Sequence, residues 1–246
     1  MNIKSNKELI FDKYTSNYDM NDPDINYKYY HSYRVMDIMS LLATKLNLSE
    51  NDIELAKIIG LFHDIGRFEQ DKKYNSFKDT KMDHGNYGVE VLKENNILDN
   101  LNISTSDYEV VYKAIKNHNK FAIEEKLNER ELLFSKLIRD ADKLDILYAL
   151  GNEEIKGILK QDNEKITKSI EESYFEHKSA NTKESNSHND GIVIIFCYIY
   201  DINFKETYKT IFENNYYEKI YNRLNRKDIF EKYLEYTNKY IKDRID

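Results

Sequence analysis

One proline and one cysteine stand among 246 residues, and glycine occurs only seven times. Proline and glycine are the residues that interrupt helices, so their scarcity predicts long unbroken helical segments. A lone cysteine excludes a disulfide within the chain and fits a reducing cytoplasm. Cys197 lies in an apolar run, which predicts a buried, inert thiol. The longest apolar run, GIVIIFCYIY from Gly191 to Tyr200, is far shorter than the roughly 20 residues of a membrane-spanning helix. The opening stretch MNIKSNKELIFDKYTS has neither the apolar core nor the small-residue cleavage site of a signal peptide, so a soluble, cytoplasmic protein is expected. Basic residues are in deficit: Lys and Arg number 37 against 44 Asp and Glu, giving a formal net charge of -7. With no basic stripe visible, an extended nucleic-acid interface is not expected. A phosphate substrate stays compatible with this balance, because bound cations and a few local basic groups set the field within a site. No Gly-x-Ser-x-Gly elbow and no Walker loop occurs, so a covalent enzyme intermediate is not expected.

What the chain does contain is a folded core's worth of apolar residues, 40% hydrophobic against 33% charged, arranged at helical spacing. Residues 24–46 place Val35, Ile38, Met39, Leu42 and Leu46 on one face. Ser49, with Asp52 three places on, marks a helix start before IELAKIIGLFHD. That apolar helix, Ile53 to Phe62, then runs toward Gly66. The stretch from Phe68 to Asp83 is polar and reads as a loop. Helical patterns return at 84–95, 107–118 and 129–149. The last of these sets Leu133, Leu137, Asp140, Leu144 and Leu147 along one side, with Asp142 elsewhere on the turn. Further on, 165–178 reads as one helix, 180–191 as an exposed loop and 191–202, apolar all round, as a buried helix, with a strand as the second reading. Three more amphipathic segments reach Asp246. No repeat, linker or composition break divides the chain. The expectation is one all-α domain over 1–246, a helical bundle with a core at about 25–150 and further helices at about 151–246.

Chemistry concentrates in an ordered series. His63 and Asp64 adjoin in LFHDIGR, His31 lies upstream in YYHSYRV, and His84, His118 and Asp142 follow in MDHGNYG, IKNHNK and RDADKLD. Four of the six histidines thus join two aspartates, each on its own helical segment. Imidazole nitrogens and carboxylate oxygens together suit a divalent transition metal better than Ca or Mg. Asp140 competes with Asp142 for the last place, and the A-D-K-L-D context favours Asp142. His177 and His188 stand in polar C-terminal stretches without partners and are read as structural or surface residues. Cationic candidates for phosphate binding are Arg67, three residues after the dyad, Arg139 and Lys143 around Asp142, and Lys72 and Lys73.

This order, His31, His63-Asp64, His84, His118, Asp142, resembles the HD superfamily of metal-dependent phosphohydrolases, in its six-ligand H…HD…H…H…D subset. The resemblance covers residues 25–150. It implies a helical fold in which His31, His63, Asp64 and Asp142 ligate one cation. His84 and His118, with Asp64 bridging, would hold a second roughly 3.5–4 Å away. Fe or Mn are the implied metals, with Co, Zn or Mg left open. A hydroxide generated on the cations would attack phosphorus, with Asp64, Arg67 and Lys143 as the catalytic set. Many members carry lysine where Arg67 stands, so the charge is kept while a proton-donor role is not assigned. A paired HH with GYP, an HDxxED dyad and the longer dNTP triphosphohydrolase pattern are all missing. The implied substrate is a small phosphate ester, a nucleotide being the expected class. Two alternatives remain: a di-iron oxygenase built on the same ligands, and a non-catalytic, metal-stabilised helical interaction module. Homodimerisation is left open.

Overall fold

The computed structural model describes residues 4–77, 79–155 and 157–246. Among these the regular elements are all helical, α-helices joined by short 3-10 turns, and there is no strand. No helix is long and apolar enough to cross a membrane. The chain divides into two compact units, Met1–Ala141 and Asp142–Asp246.

The first unit holds α1 (Asn6–Thr15), α2 (Pro23–Lys45), α3 (Glu50–Phe62), α4 (Ile65–Tyr74), α5 (His84–Glu94), α6 (Tyr108–Asn117) and the start of α7 (Glu129–Gly151). Helix α2 opens on the Asp22 carboxylate, which accepts from the Asp24 amide at 2.8 Å. Pro23 follows in the first turn, where its missing N–H costs nothing. Ser49 caps α3, accepting from the Asp52 amide at 3.1 Å. The two helices pack closely, and Gly60 permits it. A Cβ there would stand 2.8 Å from the Met36 Cα. Phe11 anchors α1 by edge contacts to Phe62 and Phe68, with centroids 5.7 and 5.9 Å away. All three rings are fully buried, each contributing about 1.5–3 kcal/mol.

Two sequence expectations change here. The stretch after the dyad is not loop throughout, since α4 continues to Tyr74 and only the described residues between it and α5 are irregular. Its polarity hid a narrow buried face made of Ile65, Gly66, Phe68 and Gln70. Lys72 and Lys73 in the last turn favour the negative helix end, and Asn75 closes it in the left-handed region at φ 46°. Gly66, toward which the apolar helix 53–62 is expected to run, stands instead in the first turn of a new helix, α4. A Cβ there would meet the His84 carbonyl oxygen at 2.3 Å. Only glycine lets α4 and α5 cross this closely, and the crossing brings His84 beside the dyad.

The second unit takes the rest of α7 with α8 (Lys168–Phe175), α9 (His188–Cys197), α10 (Lys205–Glu213), α11 (Tyr216–Asn222) and α12 (Lys227–Ile245). Helix α9 is buried as its all-round apolarity predicts, from Ile192 to Cys197. The exposed loop expected over 180–191 is shorter than its composition suggests. Ser187 and Asp190 form a capping box, so the helix starts at His188, and Asn189 and Asp190 are fully buried. The helix expected over 165–178 is trimmed to α8, because Thr167 is extended and held by Asp190. Tyr174, Tyr217 and Tyr233 fill the core. The Tyr174 hydroxyl donates to the Tyr233 carbonyl oxygen at 2.7 Å.

Candidate metal centre

Within the first unit, helix ends deliver most of the site. His31 projects from the interior of α2. His63 is the C-cap of α3, Asp64 stands between α3 and α4, His84 is the first residue of α5, and His118 is the C-cap of α6. All five are buried, none more than 3% exposed.

Asp64 is the hub. Its Oδ2 lies 3.5 Å from the Nε2 atoms of both His31 and His63. Its Oδ1 lies 3.2 Å from His84 Nε2 and 3.4 Å from His118 Nε2. The carboxylate thus sorts four imidazoles into two pairs, one per oxygen. Within the pairs, Nε2 meets Nε2 at 3.2 Å (His31 and His63) and 2.9 Å (His84 and His118).

The local fold fixes which nitrogen faces inward. His63 Nδ1 lies 2.8 Å from the Gly60 carbonyl oxygen, and His118 Nδ1 lies 2.6 Å from that of Ile115. Both are helix-end carbonyls three residues back, acceptors left without a partner by the end of the ladder. His84 Nδ1 meets Asp79 Oδ1 at 2.6 Å. The two carbonyls are acceptors only, and the Asp79 carboxylate at 2.6 Å is nearer His84 Nδ1 than the Asn119 amide nitrogen at 3.1 Å, so each Nδ1 carries the hydrogen and each ring in its neutral form turns a lone pair inward at Nε2. His84 and His118 therefore oppose two lone pairs across 2.9 Å, with carboxylate oxygen close by. A proton does not relieve this near neutrality. Burial brings the His118 pKa down to about 4, against the pull of Asp64. Burial pushes the Asp64 carboxyl up, but the Lys28 ammonium, with the imidazoles around it, outweighs that and holds Asp64 well below the usual carboxylate range. A divalent cation turns such mutual repulsion into coordination, and this imidazole and carboxylate donor set fits one.

Residues 29–147 match the HD domain family. The chain carries an HD domain. No curated protein and no solved structure matches it. The HD domain is typical of metal-dependent phosphohydrolases, and the clustering agrees: His63, Asp64 and His118 offer ligand atoms all within 4.8 Å of one another. The matched stretch begins two residues before His31 and ends five after Asp142.

Around this HD centre, two side chains matter that the sequence reading did not single out. Lys28 Nζ lies 2.6 Å from Asp64 Oδ2. Its signal was its position three residues before His31, on the same helix face. Asp79, which orients His84, also takes hydrogen bonds from Arg67 and Gln70, each at 3.1 Å. Burial raises the Asp79 carboxyl, yet the hydrogen bond from His84, with the Arg67 charge, holds it well below its ordinary value. Nothing in its sequence context marks it.

The other expected residues divide. Arg67 donates through one terminal nitrogen to Gln70 Oε1 at 2.7 Å and to the Phe77 carbonyl oxygen at 2.5 Å. Its Nε lies 3.7 Å from Asp64 Oδ1, buried and without a hydrogen-bond partner. Arg139 is buried and donates to the Asn117 and Lys120 carbonyl oxygens at 2.8 and 2.7 Å, closing the turn that carries His118. Asp140 is fully buried. Asp142 is the first residue of the second unit, half-buried on α7. Lys143, in the same unit, forms an ion pair with Asp201. Lys72 and Lys73 are exposed, the latter 3.5 Å from Glu69 Oε1. His177 and His188 are exposed in the second unit, His177 bonded to the Tyr236 hydroxyl at 2.7 Å.

Proposed function

We propose that this HD domain hydrolyses a small phosphate ester, a nucleotide being the expected class. The observation that carries the reading is the sorting of four inward-facing Nε2 atoms onto the two oxygens of Asp64. In this reading His31, His63, Asp64 and Asp142 hold one divalent cation. His84 and His118 hold a second, with Asp64 shared, and Fe or Mn are the expected metals. Bound there, such cations supply Lewis-acid charge to phosphoryl oxygens and bring the pKa of water down toward neutrality.

The chain's own residues do the rest. The Gly60 and Ile115 carbonyls and the Asp79 carboxylate hold three imidazoles in the ligating tautomer, so little reorganisation accompanies binding. Burial of the five side chains keeps bulk water from competing. Arg67 Nε–H, unpartnered beside Asp64, serves a phosphoryl oxygen, while the terminal nitrogen stays tied to the 75–83 segment. Lys143 is the second cation of the proposed catalytic set, with Asp201 as its resting partner. We place the activity in the cytoplasm, as the single buried thiol suggests. We also propose that 1–246 unfolds as one domain, because α7 runs unbroken through the junction of the two units.

The test is turnover of p-nitrophenyl phosphate and bis-p-nitrophenyl phosphate by metal-loaded protein, followed by a nucleotide panel. Hydrolysis of either ester that disappears with a chelator and returns with Mn or Fe is the expected result. Tightly bound iron without ester hydrolysis, but with oxygen uptake on a diol or phosphonate, would replace this reading with an oxygenase. Bound metal with neither activity would leave a structural module.

A further inference from the structure

We propose that Lys28 is an anion anchor: its ammonium takes an oxygen of a terminal, dianionic phosphoryl group lying over the cation-loaded centre. The inference rests on the metal-dependent reading above.

Lys28 Nζ stands 2.6 Å from Asp64 Oδ2, the oxygen that faces His31 and His63. Its side chain is 15% exposed against 3% for Asp64, so the lysine is the more open member of the pair. Two aromatic rings steady it, with Nζ 5.8 Å from the Tyr27 centroid and 5.9 Å from that of Phe77. The same Phe77 ring lies 5.6 Å from the Arg67 guanidinium. Lys28 and Arg67 thus flank Asp64, one at each oxygen, with an aromatic wall common to both.

A carboxylate oxygen has more than one acceptor direction, so Oδ2 can coordinate a cation and still accept from Lys28. Two positive charges then share one oxygen and repel each other. An anion reaching both relieves that repulsion. Lys28 should therefore weaken cation binding and strengthen anion binding, two effects of opposite sign. Cationic groups on both sides of Asp64 favour a terminal phosphoryl group, which carries two charges, over a diester, which carries one. A lysine that merely braced the fold would support both kinds of binding alike.

The experiment titrates Mn2+ into wild type, Lys28→Met and Lys28→Arg, read as free Mn2+ by electron paramagnetic resonance. Inorganic phosphate is then titrated into the Mn-loaded proteins by calorimetry. Lys28→Met should bind Mn2+ at least as tightly as wild type. It should bind phosphate about tenfold more weakly or worse, the size of one lost charge-assisted hydrogen bond. Lys28→Arg should recover most of the phosphate affinity. Unchanged phosphate affinity in Lys28→Met, or parallel loss of Mn2+ and phosphate, would overturn the inference while leaving the metal centre standing. Failure of wild type to bind Mn2+ or any other divalent cation would overturn the underlying reading, and this one with it. Lys28→Gln carries the same test should the methionine variant not fold. Unfolding of both would show a bracing role and overturn the proposal.

Discussion

At the histidine cluster of the first unit, buried polar side chains turn acceptor atoms toward one another. In the second, they turn toward donors supplied by the chain. Asp64 and Asp190 make the contrast concrete, for both are buried carboxylates at the start of a helix. Asp190 accepts from the Thr167 amide and hydroxyl at 2.7 Å each and from the Asn186 amide at 2.8 Å. Its surroundings are complete, and its role is to lock a helix start. Asp64 instead faces four imidazole nitrogens, three of them lone-pair acceptors by the tautomers their Nδ1 partners impose. Burial alone does not distinguish a structural carboxylate from a ligand. The direction of the neighbouring donors does.

Substitutions that separate the two regions sharpen this contrast. The largest effect is expected at the hub: Asp64→Asn should abolish stoichiometric metal binding, and with it hydrolysis, while far-ultraviolet circular dichroism stays close to wild type. Retained metal and turnover would break the comparison at its centre. Asp79→Asn, which weakens the hold on His84, should cost about 10–100-fold in metal affinity or activity, the usual range for a carboxylate behind a ligating imidazole. An effect as complete as that of Asp64→Asn would make Asp79 a ligand itself.

In the second unit the expected losses are in stability. Asp190→Ala leaves two part-buried amides without their acceptor and should lower unfolding free energy in urea by about 1–2 kcal/mol, with metal content per folded molecule unchanged. The pH dependence has a definite sign. Burial raises the Asp190 carboxyl, but amide hydrogen bonds from Asn186 and Thr167 hold it below its ordinary value. Its contribution is therefore present above the unfolded carboxylate pKa and is lost as pH falls through the folded one. The gap between wild type and variant should narrow below about pH 4. The smallest effect is at Cys197, whose thiol burial pushes up to about 12. Iodoacetamide at pH 8 should leave it unmodified in the folded protein and modify it in urea.

Much of the helical order could be read from the sequence, because caps and period coincide. Ser49 opens α3, and the apolar spacing of α2, α5, α6 and α7 is regular. Helix α4 escaped notice because its buried face is one narrow stripe on a polar segment, and the start of α9 because Asn189 and Asp190 are buried by capping rather than by apolarity. His31, His63, Asp64, His84 and His118 could be read from their order, and the first unit brings all five together. Asp79 could not, and Lys28 offered only its place one turn before His31. Their relation to Asp64 and His84 exists only in space, created by the packing of α2 on α3 and by the segment that leads into α5.

The most direct test of the account is metal stoichiometry by elemental analysis after loading with Mn or Fe, on wild type beside Asp64→Asn. The account predicts about two equivalents in wild type, as a shared carboxylate between two imidazole pairs requires, and none retained by the variant. Wild-type protein that retains no metal under any loading condition would contradict it.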